Sequence, residues 1–125
     1  MIRVGPSKGK GRGVFARRYF AEGDLIEQVP VLVIPAEQWR HIEQTVLFNY
    51  CFSWGPESEH AALALGYGSL YNHSYQPNAT YVKRLAEQVI DFVALCPIAS
   101  GQEVTVNYNG TPTDQTPMWF GEVVE

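Results

Sequence analysis

Tyr71-Asn72-His73-Ser74-Tyr75-Gln76-Pro77-Asn78 puts two asparagines, a histidine, a serine, a proline and two tyrosines into eight residues. Asn, Ser and Pro compete with regular backbone pairing through a side chain or ring, and so favour turns. An apolar, glycine-punctuated run over 61–70 leads in, and a strand-like run over 79–85 leads out. The stretch reads as a buried polar turn held by ordered flanks, the kind of place where binding chemistry sits. A capped structural turn around a satisfied histidine would use the same residues.

Downstream, 79–85 and 88–95 read as a hairpin around Ala86-Glu87, its second strand apolar on both faces as in a well-buried strand. Glu103-Val104-Thr105-Val106-Asn107-Tyr108 is a strong strand, β-branched at three of six positions. The tail carries Gly110, Pro112 and Pro117 and then Met118-Trp119-Phe120, an apolar patch that must dock on something.

Upstream, Ser7-Lys8-Gly9-Lys10-Gly11-Arg12-Gly13 is predicted as a glycine-rich turn entering a short strand, Val14-Phe15-Ala16. It lacks the Lys-Ser/Thr of a phosphate loop. With no preceding strand and no following helix predicted, it is not a dinucleotide fingerprint. Glu22-Gly23-Asp24 turns into an apolar strand over 25–34, where Pro30 marks an edge, a bulge or a break. Pro35 starts the main helix, with Trp39, Ile42 and Val46 at helical spacing and Trp39 expected in the core. Residues 47–54, dense in aromatics, are expected to form a core strand, with Tyr50 able to present its hydroxyl to a pocket.

The chain has 125 residues, one modest domain able to bury a core, and 46% hydrophobic against 18% charged residues makes it globular. No apolar run approaches the ~20 residues of a membrane span, and residues 1–6 lack a secretory apolar region. A net charge of −4 argues against nucleic acid and is compatible with a basic protein partner. Cys51 and Cys96 form no Cys-x-x-Cys and, with His41, His60 and His73 unclustered, no metal site is expected. Both are expected as buried reduced thiols of an intracellular, soluble protein, cytoplasmic if bacterial. Short strands at short intervals with one helix predict a mostly β, α+β fold of small curved sheets.

Three stretches, in this order, resemble the SET-domain protein lysine methyltransferases. Lys10-Gly11-Arg12-Gly13-Val14-Phe15-Ala16 looks like the family's Gly-x-Gly entry. Asn72-His73-Ser74 with Pro77-Asn78 is similar to its Asn-His-Ser-x-x-Pro-Asn signature. Gly101-Gln102-Glu103-Val104-Thr105-Val106-Asn107-Tyr108 is similar to Gly-Glu-Glu-Leu-x-x-Asp-Tyr. The chain also resembles the shortest stand-alone SET proteins of viruses and bacteria, some of which form homodimers.

The resemblance implies a knot-like crossing, in which the C-terminal segment threads beside the Asn-His-Ser strand, and methyl transfer from S-adenosyl-L-methionine to a lysine of a protein substrate. It implies cofactor binding by Gly11, Arg12, Gly13, Asn72 and His73, and a central catalytic tyrosine at Tyr108, with Tyr50 a looser match lining the same pocket. Trp119 stands where the family often places an aromatic lid over the adenine. A core over 1–110 and a tail over 111–125 that covers the cofactor site or a dimer partner complete the expectation. Asn107 replaces the usual Asp, and Tyr75 the usual Cys. A catalytically weak binding module of the same fold is the alternative.

Overall fold

The computed structural model describes residues 1–125. Nine strands form two sheets. The first contains β1 (Ile2–Ser7), β2 (Gly11–Ala16), β9 (Glu103–Val106) and β6 (Asn72–His73), in the order β1-β2-β9-β6. The second contains β3 (Leu25–Ile34), β4 (Cys51–Trp54), β5 (His60–Ala64), β7 (Ala79–Arg84) and β8 (Val89–Ala94), in the order β4-β5-β3-β8-β7. One helix, α1 (Ala36–Ile42), follows β3. Phe20, Ile90, Phe92, Ile98, Val104 and Val106 are buried almost completely and join the two sheets in one core. No helix is long and apolar enough to cross a membrane.

The expected α+β fold of small curved sheets is what forms, and its crossing is physical. β6 is two residues long and lies parallel to β9, with Asn72 opposite Thr105 and His73 opposite Val106. The Ser74 N–H extends this ladder to the Val106 carbonyl at 2.9 Å. Asn78 then stands in for a further strand residue. Its amide donates to the Glu103 carbonyl at 2.8 Å and accepts the Thr105 N–H at 2.9 Å. The polar turn of 71–78 is thereby stitched along β9. The tail that leaves β9 passes back over it, where the Tyr75 hydroxyl donates to the Thr116 carbonyl at 3.0 Å.

Several local expectations are corrected. A strand, β1, precedes the glycines, and its Gly5-Pro6 hid it from propensity. Pro6 is tolerated because β1 is a sheet edge. The turn shrinks to Lys8-Gly9-Lys10, while Gly11 and Gly13 belong to β2. Pro30 is in an inner strand rather than at an edge. It falls where β3 exchanges β8 for β5 as its partner. Its carbonyl accepts Leu65 N–H from the β5 side. In an extended strand a residue's N–H and C=O point the same way, so only the end of that ladder loses a donor.

The helix stops at Ile42. Thr45 donates to the Ile42 carbonyl at 2.6 Å and accepts the Leu47 N–H, starting a separate 3-10 turn (Val46–Asn49). A seven-residue helix buries no side chain. Trp39 is therefore outside the core, half-buried and stacked on Phe48. The expected core strand over 47–54 reduces to β4, which is an edge strand, and only its Trp54 is buried. Cys51 is half-buried and Cys96 exposed, so neither is the buried thiol expected.

Candidate active site

Tyr108 lies two residues past the end of β9 and is held on three sides. Its N–H donates to His73 Nδ1 at 2.9 Å. Its hydroxyl donates to the Tyr71 carbonyl at 2.6 Å. Its carbonyl accepts from the Tyr81 hydroxyl at 3.2 Å. Burial, helped by the neighbouring Tyr50, Tyr81 and Glu103, pushes its phenol up to about 12. Burial does the same to Tyr81, also to about 12. Both hydroxyls stay protonated at neutral pH. Because Tyr108 spends its proton on Tyr71, its oxygen is left to accept a hydrogen bond.

Tyr71 is a positioning residue that the sequence reading did not single out. Its ring stacks on Phe92 at 4.2 Å between centroids, and its hydroxyl donates to Glu27 Oε1 at 2.8 Å. Burial and the Glu27 charge raise its pKa. The backbone carbonyl that receives Tyr108 is thus anchored from inside the core.

Two cavities meet at Tyr108, sharing Asn49, Tyr50, Tyr108 and Trp119. One, of about 220 Å³, is lined by Tyr71, Tyr81, Phe52, Ser53, Lys83 and Val106 among others. The other, of about 300 Å³, is lined by Gly9, Lys10, Asn72, His73, Phe120 and the tail residues Glu122, Val123 and Val124. Trp119 closes the shared rim. Its indole lies 5.8 Å from the Tyr108 ring in a stacked arrangement, and its Nε1 donates to Asn49 Oδ1 at 3.0 Å.

His73 is buried beside the larger cavity. Since Nδ1 accepts a backbone N–H, the neutral ring carries its proton on Nε2. Burial lowers its pKa, with Lys10 adding to the effect and Glu125 opposing it. Nε2 has no hydrogen-bond partner, an unmet buried donor in the cavity wall. Asn72 is fixed rather than free. Its Nδ2 donates to the Arg12 carbonyl at 2.8 Å and to Glu103 Oε2 at 2.7 Å.

Gly11, Arg12 and Gly13 line neither cavity, whereas Gly9 and Lys10 line the larger one. The contribution of Gly13 is close approach, since a side chain there would run into the Glu103 carboxylate and the Asn72 amide. The structure therefore brings together Tyr50, Asn72, His73, Tyr108 and Trp119, and sets Gly11 to Gly13 behind Asn72. Tyr81 and Lys83 were legible only as strand residues; their i, i+2 spacing on β7 is the signal that sends both to one cavity.

Asn107, at the family's Asp position, is buried and fully used. Its Nδ2 donates to the Asp114 carbonyl at 2.7 Å and the Pro112 carbonyl at 3.3 Å, and its Oδ1 accepts the Asn109 N–H. Asn109 Nδ2 donates in turn to the Thr116 carbonyl at 3.1 Å. At the far end, Glu125 accepts from Ser74 Oγ at 2.5 Å and from the Tyr75 N–H at 3.1 Å.

Tyr108 thus lies between two cavities, one walled by the Asn-His strand and one by aromatic rings, an arrangement able to hold two small groups on either side of one tyrosine. The SET domain family matches residues 11–109, and the chain belongs to that family. A Schizosaccharomyces pombe relative, the histone-lysine N-methyltransferase specific for H3 lysine-37, is 32% identical over 108 residues, covering 86% of this chain and 72% of the relative. The crystal structure of a Plasmodium falciparum protein assigned as a histone methyltransferase is 28% identical, with a TM-score of 0.70 over 89% of this chain and 99% of that one. Polycomb Repressive Complex 2 of Chaetomium thermophilum bound to S-adenosylmethionine gives a TM-score of 0.71 at 22% identity, over 89% of this chain and 15% of that one, a likeness of fold. The chain is an S-adenosylmethionine-dependent protein-lysine N-methyltransferase, acting on lysine-containing protein.

Proposed function

We propose that the two cavities at Tyr108 are the two halves of the methyl-transfer site. Asn72, His73, Trp119 and Phe120 hold S-adenosylmethionine on one side, and the side of Tyr50, Tyr71 and Tyr81 admits the target lysine. The observation that carries this reading is that both cavities share a half-buried tyrosine, Tyr108, whose hydroxyl is fixed by a backbone carbonyl. The orphaned His73 Nε2 and the aromatic rim suit a polar heterocycle with a flat face. S-adenosylmethionine supplies a methyl group on a sulfonium cation, ready for in-line transfer to an amine.

The chain's residues supply alignment and a neutral nucleophile. A free lysine has a pKa of ~10.4, so its neutral form at pH 7 costs roughly 4–5 kcal/mol. A narrow cavity walled by neutral tyrosines withholds water from the ammonium and lowers that cost. The Tyr108 oxygen accepts an N–H from the amine and turns its lone pair away from the ring. Such alignment supplies up to ~7–11 kcal/mol of effective-concentration advantage. The proton leaves to water.

The tail over 111–125 serves as the cover of the cofactor half, and 1–110 as the body that carries the lysine half. The exposed rings of Phe48, Trp119 and Phe120 are the surface through which a homodimer would form. The free thiols fit an intracellular setting. Tyr108→Phe tests the central assignment. It should cut kcat at least tenfold while S-adenosylhomocysteine affinity and the melting temperature hold. Unchanged turnover removes Tyr108 from its role.

A further inference from the structure

Lys83 enters the smaller cavity from β7, two residues after Tyr81 and on the same face of the strand. It is the only charged residue among those lining that cavity. Its ammonium donates to Ser53 Oγ at 2.9 Å, a neutral partner. No carboxylate pairs with it: the ion pairs of the chain are Arg18–Asp24 and Arg84–Asp91. Burial lowers its pKa, the sign of a cation short of solvation. In a protein of net charge −4 this is a local reversal of sign at the entrance to the chemistry.

A half-buried cation without a counter-ion gains from an arriving anion and resists an arriving cation. The arriving molecule on this side is a protein segment carrying the target lysine, an inference that rests on reading the smaller cavity as the lysine entry. The target ammonium itself must pass Lys83, so a compensating carboxylate close to it in sequence relieves both charges at once.

We propose that Lys83 is a specificity-determining residue that pairs with an Asp or Glu side chain beside the target lysine and disfavours Lys or Arg there. Selection then works by repulsion as well as attraction. A carboxylate a few ångströms from Lys83 replaces the Ser53 hydroxyl as its main partner. A basic neighbour places like charges in a poorly solvated corner.

The test uses the full chain, labelled S-adenosylmethionine and single-lysine peptides, acetylated and amidated so that no terminal charge intrudes. The peptides differ only in the residues flanking the lysine, which are Asp and Glu in one set and Lys-mimicking Arg in the other. Wild type should favour the acidic set in kcat/KM by about tenfold, the scale of one partly screened charge contact. The preference should shrink as salt rises, with the change mainly in KM. Lys83→Met should bring the ratio near one, and Lys83→Glu should invert it, with S-adenosylhomocysteine affinity marking an intact fold. A wild-type ratio near one, or one that neither salt nor Lys83→Glu moves, overturns the proposal. Ser53→Trp separates the two readings by filling the smaller cavity from the exposed edge strand. If it abolishes transfer to every peptide while the cofactor product still binds, the entry reading stands whatever Lys83 does. Normal transfer by Ser53→Trp removes that reading, and the role of Lys83 with it.

Discussion

The two cavities that meet at Tyr108 are built by different means. The smaller one is walled from the core outward. Tyr71 rests on Phe92 and Glu27, Tyr81 belongs to a long hairpin, and Val106 is sealed between the sheets. The larger one takes much of its wall from the tail, where Trp119, Phe120 and Val124 are exposed to between 44% and 53% and apolar burial is slight. Polar bonds from Asn107, Asn109 and Glu125 hold that tail. Regions with few buried apolar contacts open at low free-energy cost. On the proposed assignment the lysine side is the preorganised one, and the cofactor side is the one expected to open. If the assignment holds, that division suits an enzyme that exchanges its cofactor at every turnover beside one fixed lysine channel.

The largest effect that would expose the division comes from the core. Phe92→Ala removes a fully buried ring from beneath Tyr71 and should cost about 3–5 kcal/mol of global stability. The whole domain should unfold at a lower denaturant midpoint, in one transition, with the tail and core reporting together. A loss confined to the lysine side would mean that the sheets do not share one core.

An intermediate effect comes from the tail's anchor. Asn107→Asp restores the family's residue and should be harmful in this chain. A carboxylate would face the carbonyls of Asp114 and Pro112, which the amide now satisfies, at a cost of about 1–3 kcal/mol. Proteolysis within 111–125 should accelerate several-fold and cofactor affinity should fall, with the kcat of the saturated enzyme little changed. If the denaturant midpoint falls as far as for Phe92→Ala, the tail is part of the core and the contrast is lost. Asn107 also bears on the reading of a catalytically weak module, because the amide is engaged in holding the tail and not idle.

How far the sequence foretold these two sides follows from the same physics. Asn72, His73 and Asn78 were legible because polar residues in an apolar run must be satisfied by something specific. The parallel pairing of β6 with β9 was foreseen only through the family resemblance, because a two-residue strand carries no period and its partner lies more than thirty positions away. Trp39 was misplaced because helical spacing says which residues share a face, not that anything packs against it. Tyr71 stood in the quoted stretch as one aromatic among several. Its role depends on Glu27 and Phe92, which only the fold brings to it. Gly11 to Gly13 matched a motif, yet their visible contact is with Asn72, and Gly9 and Lys10 stand closer to the cavity.

The smallest effect is on pH, and it should divide by side. On the cofactor side, burial lowers His73, and that preference for the neutral ring is a stability term present above its ordinary value of 6.5. It is lost as pH falls below 6.5 through the folded value, because the unfolded histidine takes a proton first. Glu125 is also lowered: burial pulls it up, but the bonds from Ser74 and Tyr75 and the charges of Lys10 and His73 outweigh that. Its contribution is present above the ordinary 4.5 and fades as pH falls through its folded value. On the proposed lysine side, burial pushes Tyr81 and Tyr108 up to about 12, and they contribute no change across this range. Protection factors for amide exchange over 118–124, corrected for the slower intrinsic exchange in acid, should therefore fall in two steps on acidification, beginning near 6.5 and again below 4.5, while 79–94, whose Asp91 carboxylate is held below its ordinary 3.8 by Arg84 and Gln28, keeps its protection until lower pH. Glu125→Gln should erase the lower step and leave the upper. Equal loss of protection in both segments would mean that the tail does not open alone, and that it is no looser than the sheet beside it.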